Sequence, residues 1–409
     1  MLRTLANWVA RNELPFTAAL GAVFIFAGKY ALIGLVIVGA LWACRWYARR
    51  RATVHLPVLD ASVGVLLLML PVCLWASPNL ELSWPPLWRI VWGVALFYST
   101  INAVENATQL RSVICGLLVV AAGLSAVGLV GTEWIRTKLL DLPIYQFLPA
   151  LVSNETRFPG GGFHPNVIAG TLAPFVPLAL TASLCSAGLR RAAAGLLAVL
   201  LVFAVFLAQS RGAWLGLAAG LWTMAMVASR HWAWRVLLVL LVVAAVIAIW
   251  QVGLADAFLR VDATGSGVSR LEVWNRAVHM IRDTPFTGIG LGAFPAILDA
   301  FYPSFLGGPN AHIPHAHNLF LQIAVDLGLP GALAFTVLFG ACLWMACQPL
   351  RCPASDRFVR GLSVGVVGAL AVVAVHGLLD APLWAARSSP LLWVLLALGP
   401  VLRRLTKAG

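Results

Sequence analysis

Apolar runs of about twenty residues return along almost the whole chain, and this repetition constrains the fold more than any single motif does. A helix of that length matches the hydrocarbon core of a bilayer, so each run reads as a membrane span. Composition agrees. Of the 409 residues, 61% are hydrophobic and 11% charged, against roughly 25% charged in an ordinary soluble domain. The expected fold is an all-α polytopic membrane protein with about twelve transmembrane helices. Their expected positions are 14–28, 30–45, 58–77, 85–105, 112–131, 165–188, 192–209, 212–229, 235–254, 331–349, 358–379 and 388–402. The first run has no small-residue cleavage site after it and is expected to stay as a span.

Orientation follows from the basic residues in alternate connections. One set holds Arg45, Arg49, Arg50 and Arg51, then Arg111, Arg190 and Arg191, Arg230 and Arg235, Arg351 and Arg357, and finally Arg403, Arg404 and Lys407. The short members of the other set are poor in Lys and Arg. The rule therefore predicts both termini in the cytoplasm, and most of the net charge of +13 becomes topology instead of a nucleic-acid patch. The seven cysteines lie in or beside apolar spans and show neither a disulfide framework nor a zinc spacing. They read as small buried hydrophobes.

One long stretch does not fit a bilayer. Residues 252–330 concentrate charge, with Asp256, Arg260, Asp262, Arg270, Glu272, Arg276, Arg282 and Asp283, and carry His312, His315 and His317. The parity of the spans predicts this large, partly helical insert on the non-cytoplasmic side, as a periplasmic loop between the ninth and tenth spans. Basic residues on that side break the topological bias and are the ones to examine for function.

Arg211 sits in the turn Gln209-Ser210-Arg211-Gly212, too short to leave the membrane surface. It either snorkels to lipid head groups or grips phosphate bidentately, with Gly212 allowing close backbone approach. Arg157 precedes Phe158-Pro159-Gly160-Gly161-Gly162, which is either a plain linker or a backbone cradle for an anion. Ser269-Arg270-Leu271-Glu272 has the form of a capping box, and Leu271, Trp274, Ala277, Val278 and Ile281 continue at helical spacing to Asp283. That places Arg270 at a helix N-terminus, where two positive features favour an anionic ligand. The run Gly288-Ile289-Gly290-Leu291-Gly292 lacks the strand and spacing of a dinucleotide site and reads as a loop.

His315-Ala316-His317-Asn318 opens a helical run from Leu319 to Leu327, stopped by Gly328 and Pro330. The two histidines could take a metal, but no third ligand stands at a zinc spacing. Otherwise they are hydrogen-bonded residues at a span mouth, or one is a general base. His317 is the better base candidate because Asn318 is placed to orient it or to bind a sugar hydroxyl. His376 and Asp380 fall on one helix face and read either as a structural tie between spans, the favoured reading, or as a supporting partner of the site residues.

His317-Asn318, nine residues, Gly328, two residues and Gly331 resemble the motif of bacterial O-antigen ligases. The Gln-Ser-Arg-Gly turn, the Arg270 helix and the Gly288–Phe294 loop are also similar to the O-antigen ligase/polymerase superfamily. The resemblance runs from about Arg157 to the last span. It implies a GT-C-like inner-membrane glycosyltransferase of the metal-independent kind, without cofactor. The implied donor is a glycan on undecaprenyl diphosphate and the implied acceptor is the lipid A–core oligosaccharide. Arg211 and Arg270 would match the family's two functional arginines, His317 its histidine, and Arg157 would be a softer match. His315 and Asn318 would support them.

The residue chemistry is compatible with this. A sugar diphosphate needs cations to neutralise its leaving group, and no Asp-x-Asp metal motif occurs in the sequence. Within the same superfamily, an O-antigen polymerase or a protein O-oligosaccharyltransferase would use the same residues. A lipid-linked glycan flippase or transporter would instead show mid-span charges and internal repeats. Arg89, in the span 85–105, is the basic residue that bears on this alternative, but it lies near the outer end of the span, and no repeat is apparent.

Overall fold

The computed structural model describes residues 2–26, 31–49, 55–132, 134, 143–146, 163–229, 231, 233–236, 239, 270–303, 313–352 and 355–407. Among these the fold is all-helical, with one isolated bridge between Thr132 and Phe163. The helices are α1 (Leu2–Arg11), α2 (Glu13–Phe26), α3 (Ala31–Arg49), α4 (Pro57–Ala76), α5 (Leu80–Ala103) and α6 (Ala107–Gly131). Then come α7 (Pro165–Leu172), α8 (Phe175–Leu184), α9 (Gly188–Leu207), α10 (Arg211–Ala228), α11 (Arg270–Asp283) and α12 (Phe294–Phe301). The last are α13 (Leu319–Ala346), α14 (Gln348–Arg351), α15 (Arg357–Gly377) and α16 (Ser389–Lys407).

Seven segments among the described residues are long and apolar enough to cross a membrane: α4, α6, α7 with α8, α9, α13 with α14, α15 and α16. That is five fewer than the twelve expected, and four of the five have an identifiable reason. Helix α2 has 14 residues, α5 carries Glu81 and Arg89, and α10 mixes Arg211 with three glycines. Most of the expected span 235–254 lies outside the described residues. The boundary at 330 also moves, because the apolar helix that follows the insert begins at Leu319.

Close helix approach organises the bundle. Gly212, Gly216 and Gly220 recur every fourth residue and form one stripe of α10. A Cβ at Gly220 would lie 2.8 Å from the Gly368 carbonyl oxygen of α15, and one at Gly216 would lie 3.1 Å from that of Val372. Small residues let two backbones approach in this way, and in lipid such van der Waals contact largely replaces the hydrophobic drive. The start of α10 is thereby fixed beside the last turn of α15.

Helix α13 is broken at Gly328, whose φ of 70° and ψ of 178° are non-helical. Pro330 removes one more helical donor. The loop after α11 repairs the break: Leu329 N–H donates to the Pro285 carbonyl at 2.7 Å, and the Val325 carbonyl accepts from Ile289 N–H at 2.9 Å. The same loop docks onto α4 and α5. Ser83 Oγ donates to the Leu291 carbonyl at 2.7 Å, and Gly290 lies against Ser77. Positive φ at Gly288, Gly290 and Gly292 is what makes these glycines necessary. The Gly-rich run is therefore an anchor that seats the insert on the spans.

The insert has a small core of its own, built from Val273, Ala277, Met280, Ile289, Phe294, Leu298, Ile313, Ala316 and Val325. The buried stripe of α11 is thus Val273, Ala277 and Met280, displaced from the expected one, and Leu271 is exposed. The expected cap Ser269 lies outside the described residues.

The end of the bundle away from the insert has its own arginine contacts. Away from the insert, Arg49 pairs with Glu105, Arg111 lies over Phe358, Arg403 lies over Trp344, and Arg404 donates to the Ile101 carbonyl. A buried pair also ties the N-terminal helices to α5. Arg45 Nη1 lies 3.0 Å from Glu13 Oε2, and Ser99 Oγ donates to Glu13 Oε1 at 3.0 Å.

Candidate active site

Four segments far apart in sequence meet at the insert end: the start of α10, the start of α11, the loop before α13 and the loop after α15. Asp380 is at their centre. His317 Nδ1 lies 3.4 Å from Asp380 Oδ1, and His315 Nε2 lies 3.6 Å from the same oxygen. The two imidazole centroids are 4.4 Å apart. His317 has a φ of 48°, a left-handed conformation that costs a non-glycine residue on the order of 1 kcal/mol or more and is common at functional sites. Ala316, wholly buried in the insert core, pins the loop between the two rings.

The hydrogen bonds assign the tautomers. His315 Nδ1 accepts the His317 backbone N–H at 3.1 Å, so its Nε2 carries the proton that faces Asp380. A carboxylate can only accept, so His317 donates through Nδ1. The lone pair of His317 then lies on Nε2. This is the arrangement of an imidazole base oriented by a buried carboxylate.

Electrostatics follow the geometry. Burial pushes the His315 imidazole down to about 4, against the pull of Asp380, and His317, His164 and Arg270 add to the downward push. His315 is therefore neutral near pH 7 and can accept at Nδ1. Burial alone would raise the Asp380 carboxyl, but the His317 hydrogen bond and the three histidines around it hold it well below the usual carboxylate range. Ala381 N–H also donates to Asp380 Oδ1 at 2.9 Å.

Asn318 holds the base loop in place. Its Oδ1 accepts from Phe320 N–H and Leu321 N–H, both at 3.0 Å, which caps α13, and its Nδ2 donates to the Leu378 carbonyl at 3.1 Å. Of the two roles open to it, orientation is the one its contacts perform. Its oxygen and one amide hydrogen are already committed, and it is buried.

Two helix starts that carry arginines border this centre. Arg270, at the first position of α11, is close enough to act electrostatically on both His315 and His376. Arg211 opens α10, and a Cβ on the adjacent Gly212 would lie 3.1 Å from the His376 ring. The turn before Arg211 is held by Tyr145, whose hydroxyl donates to the Leu207 carbonyl and accepts from Gln209 Nε2, each at 2.6 Å. Gln209 is the second left-handed non-glycine at this end, with φ 46°. Arg157 and His312 lie outside the described residues.

Two expectations change here. Of the two readings of His376 and Asp380, the geometry matches the supporting partner and not the favoured tie between spans: α15 ends at Gly377, and the Asp380 side chain turns to the two histidines. The missing third metal ligand also exists in space, since His315, His317 and Asp380 offer ligand atoms within 4.8 Å of one another. Both imidazoles meet the same carboxylate oxygen. Sequence reasoning ranked Asp380 as a structural residue first because its partners, His315 and His317, are about sixty positions away. It also passed over Asp326, an ionisable residue in an apolar run, which is the usual signal for a functional residue inside a membrane helix.

A search of curated proteins returned no match for this chain. Residues 196–336 match the model of the family described as O-antigen ligase. That segment, about a third of the chain, spans the Arg211 turn, the Arg270 helix and the His317-Asn318 loop, and over it the chain is similar to that family.

Proposed function

We propose that this protein is a GT-C-like O-antigen ligase of the bacterial inner membrane. It moves a glycan from undecaprenyl diphosphate to the lipid A–core oligosaccharide, with its insert end facing the periplasm and both termini in the cytoplasm. The observation that carries the reading is an imidazole oriented by a buried carboxylate, His317 on Asp380, with Arg270 near His315 and the helix start that carries Arg211 beside His376.

In this reading His317 Nε2 takes the proton of an acceptor hydroxyl as its oxygen bonds to the anomeric carbon. The bond from that carbon to the diphosphate oxygen breaks, and its electron pair leaves with undecaprenyl diphosphate. Arg211 and Arg270 neutralise the leaving charge, with Arg157 as a third grip, and Asp380 stabilises the imidazolium. Direct displacement inverts the anomeric configuration. His315 holds the His317 backbone, and membrane lipids supply the surroundings. No metal or other cofactor enters the step.

Turnover with purified donor and acceptor in detergent tests this. His317→Ala is expected to lower kcat by 10²-fold or more, the usual range for a general base, and full activity in that variant would overturn the base role. Full turnover in chelator is expected. Loss of activity restored by a divalent ion would move His315, His317 and Asp380 from base to metal site. Offering lipid A–core, a lipid-linked repeat and a pilin-like protein as acceptors in one assay separates ligase from polymerase and protein O-oligosaccharyltransferase. Turnover without a second compartment excludes a flippase.

A further inference from the structure

We infer that Asp326, inside the first part of α13, is a positioning residue that holds the His315-Ala316-His317 loop against Asp380. The inference rests on the proposed role of His317.

A continuous set of hydrogen bonds joins the two segments that carry the site. Trp384 Nε1–H, from the loop that also carries Asp380, donates to Asp326 Oδ2 at 2.8 Å. Gln322 Nε2–H donates to Asp326 Oδ1 at 2.8 Å. Gln322 Oε1 in turn accepts the Ala316 backbone N–H at 2.7 Å, between the two histidines. Asp326 and Gln322 are both buried, at 1% and 6% exposure, and so is Trp384 at 4%. Both loops are thus referred to one carboxylate, and the gap between them is the 3.4 Å contact of His317 with Asp380.

A group with two acceptor oxygens matches the two donors that meet at this position. Its two oxygens accept one hydrogen bond each, from Trp384 and from Gln322, and the Gln322 amide oxygen is left for the Ala316 N–H, which can only donate. An asparagine at 326 has one acceptor for two donors. If its oxygen serves Trp384, its NH2 faces Gln322, which flips and presents its own NH2 to the Ala316 N–H. If its oxygen serves Gln322, its NH2 confronts the Trp384 N–H. Either way two donors face each other in a buried place, where no water offsets the loss. A shift of about 1 Å between base and substrate costs on the order of 10²-fold in rate.

The test uses full-length protein in detergent, labelled with 15N-histidine, comparing Asp326→Asn, Gln322→Met and the double variant. Each single variant is expected to lower kcat at least about tenfold while the donor KM stays within about twofold, because the arginines are untouched. The double variant is expected to be no slower than the worse single, since both break one network. The ring 15N resonances of His315 and His317, which report the contact with Asp380, are expected to shift in both singles. Unchanged resonances with unchanged kcat in a folded variant overturn the inference, and so do fully additive losses. If Asp326→Asn does not fold, Gln322→Met and Trp384→Phe carry the same comparison. The resonances read positioning whether or not His317 is the base, so an active His317→Ala enzyme would sink the mechanism without deciding this point.

Discussion

His315 is a residue whose protonation differs between the folded and unfolded chain in mildly acid solution. Its imidazole is pushed down to about 4 from an ordinary 6.5. Between those pH values the unfolded chain binds a proton at this position that the folded chain does not. Stability therefore rises with pH across that window and is lost as pH falls from about 6.5 toward 4, by at most ~1.4 kcal/mol per pH unit. Asp380 acts with the same sign at lower pH, because a carboxyl held low in the fold loses its contribution as pH drops through that low value. Thermal melts in detergent from pH 4 to pH 7 are expected to show the slope. His315→Asn, whose amide oxygen can replace Nδ1 as acceptor, is expected to flatten it in the upper part of the window. Asn318→Ala removes a helix cap and the link to the Leu378 carbonyl. A loss of about 1–2 kcal/mol in stability is expected, together with slower turnover because the adjacent His317 loses a support.

At the scale of elements, the glycines decide more than the charged residues do. Gly220→Ala puts a Cβ 2.8 Å from a backbone oxygen of α15, and backbone cannot move aside as a flexible side chain can. Helix α10 then separates from α15, and Arg211 at its start moves with it. A lower melting temperature and reduced kcat are expected from a substitution that touches no substrate. Unchanged melting and turnover would show that the α10–α15 contact does not set the position of Arg211. The break in α13 works in the same way. A Cβ at Gly328 would lie 2.8 Å from the Phe286 carbonyl carbon, at a φ that side chains resist. Gly328→Ala is expected to detach the α11 loop and to be measured as loss of folded yield. The His317-Asn318 to Gly328 to Gly331 spacing pointed to this element, and its physical content is now concrete. Asn318 starts the helix, Gly328 breaks it where the insert docks, and a Cβ at Gly331 would crowd the Leu327 side chain.

At the scale of the molecule, one prediction concerns the region away from the site. Glu13 and Arg45 are both 1% exposed, and removing one charge from such a pair leaves the other buried, which typically costs 3–5 kcal/mol. Glu13→Gln is expected to lower the melting temperature markedly while the kcat of the remaining folded protein is unchanged. A matching drop in kcat would mean that the N-terminal helices reach the site. From the sequence alone came the all-helical membrane class, the gathering of basic residues at one end, the insert, and Arg211, Arg270 and His317 as residues of interest. These follow from hydropathy, the topological bias of charge and local helix chemistry, which act over spans of about twenty residues or fewer. Only the tertiary structure decided that Asp380 faces both histidines, that Asp326 joins their loops, and that the Gly288 to Gly292 run is an anchor. Each of those depends on contacts between positions far apart in the chain, and the packing of helices, not any local pattern, brings them within hydrogen-bonding distance.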